Sequence, residues 1–269
     1  MNDDSLKELK FNTGTPKKFY LNKNDLNSEK LLIELPNDAI NYVNTFKKNL
    51  TILKNNNIDT PKFFYFDKIK YLITVEYLGN NTLEKFFPNA SKYDKKLLIE
   101  KIIIMLKNIN LIKTNLHHLN IENYISCFNQ YYKPHQEIDK AIINTKKYSF
   151  ATIHGDFNST NLIYNKEKIY IIDFNEMSFG PRLLDAISIF HDRALGLKLE
   201  ESRNIIMNNF SPKESELESQ EIISFVHKIG IMKYLSEKKK YNSYFKSLLN
   251  YYLKRFSEYC QLTKKNIVI

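Results

Sequence analysis

The sequence predicts an α+β fold in which a small β-rich N-terminal lobe precedes a larger, mostly helical C-terminal lobe. Between residues 18 and 77, short apolar runs bounded by polar turns indicate strands on either side of one helix. Beyond this part, apolar residues recur at three- and four-residue steps over long stretches, as in helices with one buried face. We therefore expect a hinge near Leu78–Asn81, with lobes at 1–78 and 79–269.

Four strands and one helix are predicted in the first lobe. The strand-like runs cover residues 18–21, 30–35, 63–66 and 71–77. The helix is indicated by apolar residues three or four positions apart, which are Ile40, Val43, Phe46, Leu50 and Leu53. Asparagines at 55–57 and Pro61 end the pattern, because asparagine favours turns and proline cannot continue a helix.

The second lobe is predicted to be helical around one β-hairpin. Apolar periodicity indicates helices within residues 97–112, 121–147 (with a break near Pro134), 183–194, 222–232 and 245–256, and a loop at 210–213. The strand-like runs 161–164 and 169–172 flank a polar turn at 165–168, which is typical of a hairpin.

Composition excludes several classes of protein. The 269 residues carry a formal charge of +10, with most of the excess after residue 80, but no nucleic-acid recognition motif accompanies it. Cys127 and Cys260 lack the spacing of a zinc site or a disulfide scaffold, and no apolar run reaches the ~20 residues that span a bilayer. With no signal-peptide pattern at the N-terminus, we expect a cytoplasmic monomer or homodimer that binds neither a membrane nor specific nucleic acid.

One motif carries most of the chemistry. The stretch His154–Asn161 reads His-Gly-Asp-Phe-Asn-Ser-Thr-Asn, and Ile172–Phe174 follows across the hairpin. Asp156 can accept the proton of an attacking hydroxyl, while Asn161 and Asp173 offer the hard oxygen ligands that Mg²⁺ prefers. Because the hairpin turn returns the chain, we expect the two ligand candidates to lie side by side. Asp156, Asn161 and Asp173 together supply the groups needed for phosphoryl transfer from magnesium-ATP to a hydroxyl.

This arrangement resembles the aminoglycoside phosphotransferase and choline kinase family, which has the bilobal protein-kinase-like fold. The matching residues are His154–Asp156 with Asn161, Ile172–Phe174, and the stretch Gly180–Asp185. Similar intervals in the same order make the combination specific, whereas a lone His-Gly-Asp would be weak. The resemblance implies a nucleotide-binding lobe at 1–78, a catalytic and substrate-binding lobe in the rest of the chain, and the cofactors ATP and Mg²⁺.

The resemblance also implies roles for individual residues. Asp156 would be the catalytic base, and Asn161 and Asp173 would hold Mg²⁺. Asp185 would brace the catalytic loop from the following helix, and His154 would be structural.

The acceptor is expected to be a small hydroxylated molecule. Only twelve positions separate Asp173 from Asp185, which leaves no room for the long segment with which protein kinases dock peptides. The resemblance leaves an amino alcohol such as choline or ethanolamine, a sugar, homoserine and an aminoglycoside open as acceptors. Glu176 and Asp192 are candidate substrate contacts.

The first lobe departs from the family pattern at the position of the phosphate-binding lysine. Glu34 stands where a strand lysine or arginine is expected. Lys47 or Lys48, near the position of the usual helix glutamate, can form a charge-reversed pair with Glu34 or reach the phosphates, and Lys48 is our candidate. Alternatively Lys30 or Lys18 takes that role, or phosphate binding is impaired. The last case describes a weak or inactive kinase-like protein that binds a nucleotide or a partner in a regulatory role.

Two further segments are candidates for nucleotide contacts. The loop at 12–17 contains one glycine, Gly14, and is the candidate cover over the phosphates. Glu76, Tyr77 and Leu78 at the hinge are the candidates for backbone contacts with adenine.

Overall fold

The computed structural model describes residues 6–9, 18–22, 30–35, 40–133, 135–237, 242–265 and 267. Gly14 and its loop, Pro134, and the lysines at 238–240 lie outside the described residues. The strands are β1 Leu6–Leu9, β2 Lys18–Asn22, β3 Lys30–Glu34, β4 Phe63–Asp67, β5 Leu72–Glu76, β6 Phe150–Ile153, β7 Leu162–Asn165, β8 Lys168–Ile171 and β9 Ser178–Pro181. The helices are α1 Ile40–Asn55, α2 Leu83–Phe86, α3 Lys92–Leu111, α4 Ile121–Tyr124, α5 Ser126–Asn129, α6 Gln136–Thr145, α7 Leu184–Phe190, α8 Leu199–Phe210, α9 Glu214–Glu237 and α10 Asn242–Thr263.

The chain forms two compact units. The first comprises Met1–Phe86 together with Thr160–Asn175, and the second comprises Phe87–Ser159 together with Glu176–Ile269. The hairpin of β7 and β8 thus groups with the N-terminal part of the chain. The predicted α+β class, with a small β-rich N-terminal region and a larger helical C-terminal part, is confirmed. The division into lobes at 1–78 and 79–269 stays a prediction.

The first unit is built on an antiparallel sheet of order β1-β2-β3-β5-β4. Strand β3 pairs with β5 in a register that sets Leu32 opposite Thr74 and Ile33 opposite Ile73. The apolar side of α1, including Phe46 and Leu53, is buried, as its three- and four-residue spacing predicts. Strand β1 was not predicted from the sequence.

The second unit is arranged around α9, which is 24 residues long and packs against α5, α6 and α10. Its buried residues are consecutive from Ser219 to Val226, so no side of this part of the helix faces solvent. A helix enclosed on all sides shows little one-sided periodicity, which explains why only its apolar stretch was predicted.

The structure corrects several predicted elements of the second unit. The segment 121–147 holds three short helices, α4, α5 and α6, rather than one or two. Helix α7 ends at Phe190 and not near Ala194, because the Asp192 side chain caps a separate 3₁₀ turn at Arg193–Leu195. Helix α8 and strand β9 were not predicted. None of the described helices combines the length and the apolar composition needed to cross a bilayer.

Gly230 is the point of closest approach between α9 and α5. A Cβ atom there would lie 2.4 Å from the Phe128 backbone nitrogen and 2.7 Å from its Cα. We expect Gly230→Ala to lower the melting temperature and to destabilise the protein by about 1–3 kcal/mol through overpacking. In an open helix site the same change stabilises by about 1 kcal/mol, so the sign of the effect is diagnostic. Thermal and urea unfolding would measure it.

Asn250→Ala provides a matched control, because Asn250 is exposed on α10. This variant should unfold within about 0.5 kcal/mol of the parent protein. A Gly230→Ala protein as stable as the parent would show that α5 and α9 are not held at this distance in solution.

Candidate functional site

The loop after β6 is fixed by the carboxylate of Asp185. One carboxylate oxygen, Oδ2, accepts a hydrogen bond from the His154 backbone N–H at 2.5 Å, and Oδ1 accepts one from Gly155 N–H at 3.1 Å. Burial raises the pKa of Asp185, while His154 and the two backbone donors act in the opposite direction. Asp185 therefore makes the contacts that a brace of this loop requires.

His154 lies fully buried beneath the loop. Its Nδ1 accepts a hydrogen bond from the Asp156 backbone N–H at 3.3 Å, and its ring meets that of Phe157 edge-on at 5.9 Å between centroids. A side chain without solvent access that contacts its own loop acts on the shape of that loop, in keeping with a structural role.

Gly155 occupies a position that other residues cannot adopt without strain. Its φ is +87°, and a Cβ atom would lie 2.5 Å from the Glu176 carbonyl oxygen. The loop therefore packs directly against the backbone of Glu176, whose own side chain is exposed. Glu176 as a substrate contact stays a prediction.

Asp156 remains partly open to solvent, with 44% of its side chain exposed. Its Oδ1 accepts a hydrogen bond from Asn158 Nδ2 at 2.8 Å and lies 3.6 Å from Lys228 Nζ. A general base must be reachable by its substrate, and this exposure meets that requirement. The contact with Lys228 was not foreseen from the sequence, because Lys228 lies 72 positions away along the chain.

Asp192 has its carboxylate engaged with backbone groups. Oδ2 accepts from Ser159 N–H at 3.0 Å and Oδ1 from Ala194 N–H at 2.9 Å, and the residue is 9% exposed. It thus holds the far end of the loop that Asp185 holds at the near end. A direct contact of Asp192 with substrate stays a prediction.

Helix α9 carries the polar groups that position the segment leading to Asp185. Arg182 pairs with Glu216 through Nε and Oε1 at 2.9 Å, and Leu183 N–H donates to Gln220 Oε1 at 3.0 Å. His191, at the end of α7, lies 3.2 Å from Glu221 through Nε2 and Oε1. The position of Asp185 therefore depends on side chains of α9.

The hairpin places the backbone of Asn161 opposite Ile172, the residue before Asp173, within the first unit; a shared position of the Asn161 and Asp173 side chains on Mg²⁺ stays a prediction. Leu162 pairs with Ile171 at the open end of the hairpin, and Ile172 N–H donates to the Asn161 carbonyl at 3.0 Å. Lys166 and Glu167 form the two-residue turn, with φ values of +47° and +61°, which is the geometry of a type I′ hairpin. Asp173 follows at once, in the left-handed region with φ +53°.

Helix α1 fixes the residue after Asp173. Asn49 Nδ2 donates to the Phe174 carbonyl at 2.8 Å, and the rings of Phe46 and Phe174 stack at 4.9 Å. Asn49 is 1% exposed. Its role was missed because one asparagine on the apolar side of a helix gives no sequence signal until its partner is known.

Glu34 is paired by neighbours in its own sheet. Tyr20 O–H donates to Oε2 at 2.7 Å, and Lys18 Nζ lies 3.6 Å from Oε1. Lys47 Nζ lies 5.0 Å above the Phe63 ring, and Lys30 Nζ lies 5.4 Å above the Phe64 ring. A contact of Lys48 with phosphate stays a prediction.

At the predicted hinge, side-chain and backbone groups have partners within the first unit. Glu76 Oε2 accepts from Lys62 N–H at 3.0 Å, and the Leu78 carbonyl accepts from Asn165 Nδ2 at 3.2 Å. Burial raises the pKa of Tyr77. Contacts of Glu76, Tyr77 and Leu78 with adenine stay predictions, as does the role of Gly14.

The described residues contain no cluster of three or more His, Cys, Asp or Glu side chains that could hold a metal. The donor set of Asn161 and Asp173 nevertheless fits Mg²⁺, which is usually bound through one or two protein oxygen ligands, several waters and the phosphates of a substrate. A pair of oxygen donors at the end of the hairpin is what such a site requires of the protein.

Comparison with known families gives one match. Residues 132–202 match the model of the phosphotransferase enzyme family, a range that includes Asp156, Asn161, Asp173 and Asp185. No curated protein matched the sequence.

Two of the solved structures with similar folds carry names that refer to choline or ethanolamine kinases. A choline/ethanolamine kinase family protein from Mesorhizobium loti matches with a TM-score of 0.66 at 10% identity, covering 97% of this chain and 89% of that one. An ethanolamine kinase from Plasmodium vivax matches with a TM-score of 0.62 at 18% identity, covering 96% and 82%.

A spectinomycin phosphotransferase in complex with ADP and spectinomycin matches with a TM-score of 0.64 at 13% identity, covering 93% of this chain and 89% of that one. At these identities the likenesses establish the kinase-like fold. The resemblance to the aminoglycoside phosphotransferase and choline kinase family, predicted from the motif, is confirmed.

Gly155 and Gly79 form a natural pair for testing the loop. Their φ values are +87° and +86°, but a Cβ at Gly79 would meet no atom within 4 Å. We expect Gly79→Ala to cost about 1 kcal/mol from backbone strain, and Gly155→Ala to cost about 1–3 kcal/mol more because of the contact with Glu176. Urea unfolding of both variants measures the difference. Equal losses would contradict the close packing of the loop.

Asn49→Leu should destabilise the protein by about 1–3 kcal/mol, because the buried Phe174 carbonyl loses its side-chain donor. Thr51→Ala is the control, since its exposed hydroxyl only donates to Lys47 O within the same helix. Chemical unfolding should separate the two variants clearly. A loss as small for Asn49→Leu as for Thr51→Ala would argue against the hydrogen bond.

Proposed function

We propose that the protein is an ATP- and Mg²⁺-dependent kinase that phosphorylates a hydroxyl group of a small molecule. The observation that supports this most is the backbone pairing at the open end of the hairpin, where Ile172 N–H binds Asn161 O at 3.0 Å and so places Asn161 opposite the residue before Asp173. Asn161 and Asp173 can serve one Mg²⁺, and the fold is that of proteins whose structures hold ADP and ATP.

In the proposed reaction Asp156 accepts the proton of the acceptor hydroxyl. The hydroxyl oxygen forms a bond to the γ-phosphorus of ATP as the bond to the bridging oxygen breaks, and ADP leaves with the electron pair of that bond. Bound Mg²⁺ would supply neutralisation of phosphate charge. Asp185 and Asp192 hold the two ends of the loop on which Asp156 lies, so that the carboxylate is presented in one orientation.

Glu34 bears on whether the protein turns over ATP or only binds it. A carboxylate beside ATP phosphates is repulsive by several kcal/mol in a poorly solvated site. Here Lys18 and Tyr20 contact both carboxylate oxygens, so the charge is compensated within the sheet. This pairing removes the repulsion as an objection to nucleotide binding. The presence of Asp156, Asn161 and Asp173 together favours an active kinase over the second candidate, a kinase-like protein that binds a nucleotide or a partner without catalysis.

The test is ATP turnover with Mg²⁺ against a panel of amino alcohols, sugars, homoserine and aminoglycosides. Asp156→Ala should lower kcat by about 10²–10⁴-fold, because proton transfer to a positioned base contributes that much. Asp173→Asn should raise the Mg²⁺ concentration needed for half-maximal rate, since it removes a charged ligand. Product formation would be followed by ³¹P NMR.

Asp139→Ala serves as the control, because Asp139 is exposed in the first turn of α6. Its activity should equal that of the parent. Saturable ATP binding with no turnover of any acceptor would instead favour the regulatory protein. Turnover that survives Asp156→Ala would remove Asp156 from the role of base.

A further inference from the structure

The ammonium group of Lys228 is nearly buried, although a lysine usually keeps its charge in water. The residue lies in the second half of α9, and its side chain is 10% exposed. Removing an ammonium group from water is costly unless a partner compensates the charge. Within the part of the chain that the structure describes, Asp156 is the one carboxylate that forms an ion pair with Lys228, at 3.6 Å between Oδ1 and Nζ. The charge of Lys228 is therefore directed at the candidate base.

The backbone that carries Lys228 is held on both sides. His227 Nδ1 donates to the Tyr124 carbonyl at 2.5 Å, and the two rings stack at 3.6 Å between centroids. Two residues beyond Lys228, Gly230 lies so close to α5 that a Cβ atom would meet the Phe128 backbone nitrogen at 2.4 Å. Rotation of α9 about its axis would break both contacts. The Lys228 backbone therefore has a fixed position in the second unit.

The side chain of Asp156 is the more exposed member of the pair. It is 44% exposed, and exposed side chains change rotamers within picoseconds to nanoseconds when nothing holds them. Asn158 Nδ2 donates to the same Oδ1 at 2.8 Å, but Asn158 belongs to the same loop and moves with it. Lys228 approaches that oxygen from a helix 72 positions away along the chain. Contacts to one oxygen from two different elements fix the carboxylate better than the loop alone can.

The orientation of this carboxylate matters for the proposed reaction. A general base must lie within about 3 Å of the hydroxyl whose proton it accepts. A displacement of about 1 Å can lower the rate of such a step by roughly 10²-fold. Because the proton moves in the transition state and not when the substrates bind, a loss of orientation lowers kcat and leaves the KM values nearly unchanged.

We propose that Lys228 is a positioning residue for phosphoryl transfer, whose ammonium group holds the Asp156 carboxylate in the orientation that accepts the proton of the acceptor hydroxyl. The inference rests on the proposed kinase function. It assigns to Lys228 no contact with ATP or with the acceptor, so the whole effect of Lys228 on the rate passes through Asp156.

A double-mutant cycle tests whether Lys228 acts through Asp156. Lys228→Met removes the charge and keeps most of the length of the side chain. Choline, ethanolamine, homoserine, glucose and kanamycin serve as acceptors with ATP and Mg²⁺, and the cycle is measured with the one that the parent phosphorylates fastest. We expect Lys228→Met to lower kcat by about 10- to 100-fold, with changes in KM below about threefold. In the Asp156→Ala background, the same substitution should change kcat by less than about twofold.

Lys233→Met is the matched control, because it removes the same charge from the same helix at a position that pairs with Glu237 instead. Its kcat should stay within about twofold of the parent value. Circular dichroism and melting temperature would establish that all the variants fold.

A second measurement, by NMR of ¹⁵N-labelled protein, needs no acceptor. A nearly buried, ion-paired ammonium group exchanges its protons slowly with water, so Lys228 should give an Nζ signal that disappears in Lys228→Met. Asp156→Asn removes the carboxylate charge at almost constant size and should shift this signal. Asp139→Asn should leave the signal unchanged, because Asp139 is exposed on α6.

Three results would overturn the inference while leaving the kinase function standing. The first is a kcat that Lys228→Met does not change. The second is an equal loss of kcat in the parent and Asp156→Ala backgrounds, which would mean that Lys228 acts on a substrate or on the fold. The third is a Lys228 signal that Asp156→Asn leaves in place. Phosphorylation of no acceptor by the parent would contradict the proposed function, and the inference with it.

Discussion

The two hydrogen bonds that the Asp185 carboxylate accepts from His154 and Gly155 are the constraint on which the candidate site depends. The His154 N–H is buried and the Gly155 N–H is half-buried, and a buried donor left unpaired would cost about 1–3 kcal/mol. A single carboxylate satisfies both and thereby sets the direction in which the next residue, Asp156, leaves the loop. Only glycine fits at this point of the loop, because a Cβ atom at position 155 would lie 2.5 Å from the Glu176 carbonyl oxygen.

Helix α9 links this constraint to the rest of the second unit. Its first half contacts Arg182, Leu183 and His191, which flank Asp185 in sequence. Its second half carries Lys228 to the Asp156 carboxylate. One buried helix thus determines both where the candidate base lies and what charge lies beside it. A polar role of this kind suits a helix whose middle is enclosed on every side, since its buried polar side chains need partners.

In the first unit, the hairpin and helix α1 together position Asp173. The type I′ turn sets the register of the hairpin, and the register places Asn161 beside the end of the returning strand. Helix α1 then holds the next residue through Asn49 and Phe46. Asp173 is in this way held from both sides while adopting a positive φ, a conformation that costs about 1 kcal/mol or more outside glycine.

Local pattern in the sequence was enough to predict the α+β class, the strands β2 to β5, helix α1 and the hairpin, because strand alternation, helical spacing and turn residues act over a few neighbours. The spacing of the motif was also enough to indicate which side chains to examine as base and ligands. Only the tertiary structure revealed Lys228 beside Asp156, Asn49 beneath Phe174 and the partners of Glu34. These contacts join residues that the packing of buried elements brings together, and a single sequence holds no periodic or turn signal for such pairs. The same reason explains why α8, β9 and the full length of α9 were missed: their boundaries follow from burial against neighbours and not from the local pattern.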